Sequence, residues 1–470
     1  MPGACRAVGK FVILAVPERR AWTGEGARAP LRGWRRGIMD RVLILHYHEI
    51  WLKGKNKRYF LSRLTGAVKR VLADLPAAPP RFVSERLVIE PQEESALPAI
   101  LERLSRVFGI AYVAVARRTA NQLDAMGAAA CEVMAAKNPR DFAVRVKIAD
   151  QDFPMNSMEL ERALGRMVLD HLRERRSEVR VNLSAPEATC SVEVVPGEAF
   201  IYAERRQGPG GLPAATGGRL VALVSGGFDS SVAAYKLMRR GAHLSFAHFY
   251  SGPSADGRAS SRHVAEELVK ALTAYQFTSR LYALAFEPVQ RRVVAAAPES
   301  LRVLLYRRLM ARTAREIARA ERALGLVTGD SVSQVASQTL HNLAAMDHGL
   351  DFPIYRPLAG DDKEEILAWA RRIGTYAISC QPFEDCCPRF MPRAPAIFSS
   401  AEELDRAEAL LDPEALVTLA LESAAVEDFV FESGRVDTSA ALPPRFQKLV
   451  AWRKTPERPA PPSAPVPARP

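Results

Sequence analysis

Cysteine is scarce in this chain: six in 470 residues. They stand at Cys5, Cys131, Cys190, Cys380, Cys386 and Cys387, too few and too scattered for a secreted disulfide framework, and no pair has zinc-finger spacing. No uninterrupted apolar run approaches the roughly 18 residues of a membrane span, so no membrane segment is expected and a cytoplasmic location is. The glycine pattern GxxxxGK[ST] of a Walker A loop is missing, and so is the GxGxxG of a dinucleotide fold. Acids are outnumbered, 53 against 65 basic residues, for a net charge of +12. A basic excess of that size suits a polyanion, nucleic acid first, although an arginine-rich proteome would raise any chain's charge in the same way.

What is present divides into segments. Residues 1–39 are Arg- and Gly-rich and poor in acids; they read as an extension, either a transit peptide or the product of a start codon upstream of the true one, since Met39 opens the strand-like "MDRVLILHYHEI". The end, 443–470, is Pro-rich with nothing to bury and reads as disordered. Between these, Phe60, Leu64, Val68 and Leu72 recur every four residues and mark an amphipathic helix. Strand patterns at 87–90, 142–147, 191–195 and 200–203, with helical patterns at 97–107 and 158–173, suggest small α+β modules and not one large sheet. "RRQGPGGLPAATGGR" at 205–219 is the strongest break. Beyond it strands and helices alternate (221–224, 231–240; 244–250, 260–272; 279–285, 301–324; 326–328, 334–346), as a doubly wound α/β domain with a parallel sheet requires.

The first of these strands runs into "LVSGGFDSS". In a doubly wound sheet ligands bind beyond the carboxyl ends of the strands. Small residues there, with Gly226 and Gly227 free to take positive φ, let backbone N–H groups at a helix start converge on an anion. Phosphate is the natural occupant. Asp229 would repel a bare phosphate, so it would hold a magnesium ion on the phosphates or orient the turn. The plainer reading is a strand-to-helix turn capped by Asp and Ser.

S-G-G-x-D-S after a strand resembles the PP-loop of the N-type ATP pyrophosphatases. "VLILHYHEIWLKGKNKRYFLSRL", "LSRVFGIAYVAVA" with "FAVRVKIADQDFPMNSMELERALGRMV", "LVTGDSVSQVASQTLHNL", "RPLAGDDKEEILAWARRIGTYAIS" and "QPFEDCC" together resemble the tRNA 4-thiouridine synthetases (tRNA uridine 4-sulfurtransferases), over about residues 40–440. The resemblance implies an N-terminal ferredoxin-like domain at 40–97, a THUMP RNA-binding domain at 98–206, a linker at 207–217 and the PP-loop domain at 218–442. It places ATP against Leu223, Val224, Ser225, Gly226, Gly227 and Ser230, with His248 and Phe249 where an adenine would lie, and with Arg307, Gly329 and Gln338. Lys363 matches the family's essential lysine. Where relatives read T-G-E-S-x-G-Q this chain has Asp330 for the Glu and Ser333 for the second Gly.

Such an enzyme, by that resemblance, uses ATP and Mg²⁺ to adenylate the C4 oxygen of a tRNA uridine at position 8, and replaces it with sulfur from a cysteine persulfide. The persulfide falls on Cys386, with Cys387 the alternative and Cys380 or Cys387 able to resolve a disulfide. The sequence shows no rhodanese segment after the PP-loop domain, so the sulfur would come from a separate cysteine desulfurase or another persulfide donor, and a thiamin-thiazole role is not expected. By resemblance to the short members of the family, a homodimer is expected. For tRNA, "KGKNKR" offers Lys53, Lys55, Lys57 and Arg58. Arg308, Arg312, Arg315, Arg319 and Arg322 recur at helical spacing, as either a solvated face or a phosphate track. A 2-thiouridylase-like enzyme and a THUMP protein with a degenerate catalytic half are the alternatives. The THUMP region ahead of the PP-loop counts against the first, and Asp229, Lys363 and Cys386 count against the second.

Overall fold

The computed structural model describes residues 41–174, 176–251, 260–382, 390 and 394–439. Its first half runs β1 (Arg41–His46), α1 (Lys57–Val71), β2 (Arg81–Val83), β3 (Arg86–Ile89), α2 (Leu97–Leu104), β4 (Tyr112–Thr119), α3 (Leu123–Lys137), β5 (Asp141–Ile148), α4 (Ser157–Arg173), β6 (Arg180–Val181), β7 (Ala188–Val195), β8 (Glu198–Tyr202) and β9 (Arg205–Gln207). The expectation of separate small sheets fails here. The strands form one nine-stranded sheet, in the order β2-β3-β1-β4-β8-β7-β5-β6, with β9 on β4. The cause is the length of β4: it pairs β1 over residues 112–117 and β8 over 117–119, so one strand belongs to both modules.

The second half runs β10 (Arg219–Leu223), α5 (Phe228–Arg239), β11 (His243–Tyr250), α6 (Ser261–Gln276), β12 (Thr278–Ala285), α7 (Glu287–Ala296), α8 (Arg302–Ala320), β13 (Leu326–Val327), α9 (Leu340–Asp347), β14 (Ile354–Tyr355), α10 (Lys363–Ile373), α11 (Tyr376–Ser379), α12 (Ala401–Glu408), α13 (Pro413–Glu422), β15 (Ala425–Glu432) and β16 (Arg435–Ser439). Strand order is β14-β13-β10-β11-β12-β15-β16. The first five strands are parallel and β15 and β16 antiparallel. Side chains alternate across the sheet. Val221, Ala247, Tyr282 and Leu284 join the core under α7 and α8, while Leu220, Ala222, Val224 and Phe246 join the core under α5 and α6. That two-sided burial is why these strands read as continuous apolar runs. The chain moves from β10 to β11 and β12 on one side, then returns to β13 and β14 on the other. The switch point therefore lies at the carboxyl end of β10.

The helix expected at 334–346 begins only at Leu340, where Thr339 accepts a hydrogen bond from the Asn342 N–H as its cap; before it lie a single 3-10 turn, Ala336–Gln338, and the extended Thr339. The β15–β16 hairpin was not anticipated, although its turn, Ser433 at φ 47° and Gly434 at φ 82°, is a two-residue connection of the kind that Gly marks.

The Gly/Pro-rich stretch between the halves is closely packed. A Cβ on Gly208 would stand 2.2 Å from the Ile110 carbonyl oxygen, and one on Gly211 would stand 2.1 Å from that of Arg239. Close backbone approach, more than freedom of movement, calls for glycine there. Phe108, just after α2, packs at 5.3 Å from Tyr235 and 5.4 Å from Tyr275 of the other half. No helix among the described residues is long and apolar enough to cross a membrane.

Candidate functional site

Three segments meet at the switch point: the turn after β10, the loop after β13 and the start of α10. In the first, Leu223 ends β10 and Val224 is buried, its N–H donating to the Ala247 carbonyl at 2.9 Å. The Ser225 N–H donates to Ser230 Oγ at 3.1 Å, and the Gly227 N–H donates to Ser225 Oγ at 3.2 Å. These bonds wrap the turn around its own hydroxyls. The expected positive φ at Gly226 and Gly227 is absent: neither is in the left-handed region, and Gly227 caps α5 in an extended conformation at φ −81°. A side-chain cap is missing there, so α5 starts without an oxygen of its own on its first N–H groups.

The glycine that close approach demands is Gly329. A Cβ there would lie 2.6 Å from the Ser230 nitrogen and 2.7 Å from the Asp229 carbonyl carbon, so the loop after β13 sits directly on the first turn of α5. Ser333, in the same loop, holds φ 64°, a left-handed conformation that costs a non-glycine residue about 1–2 kcal/mol.

Asp229 and Lys363, distant in sequence, are brought together. Lys363 Nζ donates to Asp229 Oδ1 at 2.7 Å, and Gln334 Nε2 donates to Oδ2 at 2.9 Å. Lys363 is the first residue of α10, whose N-cap is Asp362 in a capping box with Glu365. The first turn of α5 thus meets the first residue of α10; the N-terminus of α5, which has no side-chain cap, adds positive potential there, whereas that of α10 is occupied by Asp362. Gln334 went unnoticed at the level of sequence; its place in the stretch "TGDSVSQ" was the available signal.

Asp330, only 3% exposed, organises the rear of the site. Arg307 donates to its Oδ1, as does Gln338 Nε2 at 3.2 Å, while Arg356 Nε at 3.1 Å and Thr328 Oγ1 at 2.8 Å donate to Oδ2. Burial alone would raise the carboxyl, but the Arg307 charge, the Thr328 hydrogen bond and Arg356 outweigh it and hold the group below the usual range. Arg307 also donates to the Ser337 carbonyl at 3.0 Å. Gln338 Oε1 is buried without a donor among the described residues. His248, 2% exposed, is within 2.9 Å of the Val224 carbonyl through Nδ1 and 3.2 Å of Ser261 Oγ through Nε2. Phe249 packs edge-on against Phe286 in the core. Both side chains serve packing, so β11 presents main chain at its end.

Cys386 and Cys387 lie outside the described residues. Cys380 is exposed at the end of α11. Among the described residues no group of three or more His, Cys, Asp and Glu side chains could hold a metal. In "KGKNKR", Lys57 pairs with Glu85 and sits 3.5 Å over the Trp51 ring, and Lys53 lies 5.1 Å over Phe60; Lys55 and Arg58 are exposed. The arginine series of α8 is not an open phosphate track. Arg308 is 2% exposed and bound to Asp405 at 2.6 Å, Arg312 donates to Glu408 at 2.8 Å, and Arg315 and Arg319 pair with Glu316. Asp405 and Glu408 of α12, which spacing could not reveal, cover Arg308 and Arg312; Glu316 of α8 itself takes Arg315 and Arg319, and Arg319 and Arg322 stay exposed.

The chain matches three families: the ThiI ferredoxin-like domain at residues 42–114, the THUMP domain at 120–204, and the family described as thiamine biosynthesis protein (ThiI) at 215–412. It is 43% identical over 384 residues to a "Probable tRNA sulfurtransferase" of Thermus thermophilus, covering 82% of this chain and 93% of that one. To the protein of the same name from Moorella thermoacetica it is 37% identical, covering 82% and 97%. Among solved structures, a 4-thiouridine synthetase–RNA complex with bound ATP superposes with a TM-score of 0.72 at 30% identity, over 83% of this chain and all of that one. With this identity along nearly the whole length of its relatives, the chain belongs to the tRNA sulfurtransferase family.

Proposed function

We propose that this chain catalyses ATP-dependent sulfur transfer to tRNA, adenylating the C4 oxygen of the uridine at position 8 and replacing it with sulfur to give 4-thiouridine. The observation that carries this reading is the meeting of Asp229 and Lys363, 2.7 Å apart, beside the start of α5, which has no side-chain cap, on the carboxyl side of the sheet. A lone phosphate would meet repulsion from Asp229; a nucleotide triphosphate carrying Mg²⁺ would not. Asp229 fits that ion as a single carboxylate, in keeping with the habit of magnesium of taking one or two carboxylates plus substrate phosphates. The bound ion would neutralise charge on the phosphates as pyrophosphate leaves. Lys363, released from Asp229, is within reach of the same phosphates. Arg307 and Gln338, anchored by Asp330, hold the far side of the nucleotide.

A uracil C4 oxygen leaves poorly, and adenylation turns it into an AMP leaving group. The outer sulfur of a Cys386 persulfide attacks C4 and AMP departs. Thiolate attack by Cys387 or Cys380 on Cys386 Sγ then forms a disulfide and leaves the sulfur on C4, and a reductant restores both thiols. A cysteine desulfurase or another persulfide donor recharges Cys386. Lys55 and Arg58, with Lys53 and Lys57, serve the tRNA backbone. The setting is the cytoplasm, where a homodimer would act.

Nucleoside mass spectrometry of tRNA from a deletion strain, complemented with wild-type, Cys386→Ser or Cys387→Ser genes, tests this. Loss of 4-thiouridine on deletion, its return with the wild-type gene and its continued absence with Cys386→Ser are expected. Persistence of 4-thiouridine in the deletion strain refutes the function. Full restoration by Cys386→Ser refutes only the assignment of the sulfur carrier.

A further inference from the structure

At the amino ends of β10 and β11, opposite the Asp229 site, a cavity of about 650 Å³ opens between α1 and the parallel sheet. Arg63, Arg70, Arg219 and His243 line it, and no aspartate or glutamate does. Arg63 and Arg70 are seven residues apart on one face of α1, two turns or about 10 Å along its axis. Each is held in place by a main-chain carbonyl. Arg63 donates to Ala214 at 3.3 Å and Arg70 to Phe431 at 3.2 Å, the latter also lying 5.3 Å over the Phe277 ring. Neither has a carboxylate partner among the described residues. Arg219 reaches only Glu321, at 3.9 Å, and Glu321 already serves Arg280. A second cavity at the same seam, about 600 Å³, is mixed: Glu102 lines it, Arg106 there is paired with Glu102 and Lys270 with Glu267, while Arg371 and Arg372 lie over the Tyr376 and Trp369 rings.

We propose that the cavity between α1 and the amino edge of the parallel sheet is a second phosphate-binding site, built by Arg63, Arg70 and Arg219 from both halves of the chain. Guanidinium groups fixed by neutral carbonyls keep their charge and most of their donors for a ligand, and they match phosphate oxygens in pairs. The arginines are exposed at the mouth, so the phosphate can belong to a tRNA backbone or to a free polyphosphate. His243 senses the field of the site: burial, then Arg219, lower its pKa, with Arg63 adding to the effect against the opposing pull of Thr278 and Glu321. An anion among the arginines reverses part of that effect. His248, five residues along the same strand and about 17 Å away, faces the other end of the sheet and reports on the PP-loop.

The test is NMR of the full-length protein with histidine labelled at ¹³Cε1, titrated with sodium pyrophosphate and, separately, with unmodified tRNA. A rise in the His243 pKa on adding either probe is expected, and it should vanish in an Arg63→Ala/Arg219→Ala variant that keeps the His248 response to pyrophosphate. If tRNA is the source, the variant also binds tRNA about tenfold more weakly, with a salt dependence shallower by one to two charges. If pyrophosphate alone moves His243 and tRNA affinity is unchanged, the site serves a free polyphosphate. Failure of both probes to move His243, or an equal shift in the variant, overturns the proposal. This readout is independent of sulfur transfer, so it stands or falls apart from the proposed function.

Discussion

Each half of the molecule has a buried carboxylate at the centre of a charged cluster, Asp330 among several in the nucleotide half and Glu193 in the N-terminal sheet, and these two clusters serve different ends. Asp330 in the nucleotide half is 3% exposed, and Glu193 in the N-terminal sheet is 1% exposed. Taking a carboxylate out of water costs several kcal/mol, recovered only when charges and hydrogen bonds surround it. Asp330 has Arg307, Arg356, Thr328 and Gln338. Glu193 has Arg86, the Tyr202 hydroxyl at 2.6 Å and His46 Nε2 at 3.2 Å. Burial pushes the Glu193 carboxyl up, but His46 and Arg86 outweigh it and bring it down to about 2. The partners of Asp330 come from loops and helices around the proposed nucleotide, and two of them are candidates to touch ATP. The partners of Glu193 come from strands, β1 and β3 on one side of β4 and β8 on the other. One acid therefore organises a site; the other ties two modules across the strand they share. A buried ion cluster alone does not mark function. What its partners face decides.

The largest effect expected is from Asp330→Asn, which leaves Arg307 without its counter-charge and Arg356 with Asp347 alone. It should cost about 3–5 kcal/mol of stability and, because Arg307 and Gln338 lose their anchor, most of the activity. Chemical denaturation and pyrophosphate release measured together check this; a stable variant with normal activity would erase the distinction between the clusters. Asp229→Ala sharpens it from the other side. The Asp229–Lys363 pair is partly exposed, 23% and 46%, so its loss should change stability by less than about 1 kcal/mol. Pyrophosphate release with tRNA should fall on the order of 10³-fold.

Glu193→Gln should show the reverse: about 3 kcal/mol lost, with pyrophosphate release at saturating tRNA within about twofold of wild type. Its pH dependence is specific. With the carboxyl at about 2 when folded and an ordinary 4.5 otherwise, the stabilisation is complete above the ordinary value. It is lost as the pH falls toward 2, on the order of 3 kcal/mol in all. Denaturant midpoints between pH 7 and 3 should therefore fall less steeply in Glu193→Gln than in wild type. The smallest effect is Ser333→Gly. Relief of the left-handed strain is offset in part by the greater freedom of glycine when unfolded, for a net gain under about 1 kcal/mol, readable as a rise in the thermal midpoint without loss of activity.

Much of this protein was already determined by its sequence. The apolar runs of β10 and β11, the SGGFDSS turn and the alternation of strand and helix imply a parallel sheet with an anion site at a strand end, because burial on both faces and a glycine-rich helix start are local properties. Asp229 and Lys363 could be picked out as candidates from motifs, but their contact could not: 134 residues separate them, and only the topology that brings α10 beside α5 closes the distance. The same holds for Asp330. Its charge is visible in the sequence, whereas its burial and its two arginines, 23 and 26 residues away, come from segments that meet only in the folded chain. The arginines of α8 make the point in reverse. Helical spacing places them on a common side, yet whether that side meets water, RNA or the acids of α12 is a matter of packing. The join between the N-terminal modules was likewise decided by tertiary structure, since β4 satisfies its backbone hydrogen bonds with strands from both sides, and no local pattern in "YVAVARRT" states which neighbours those will be.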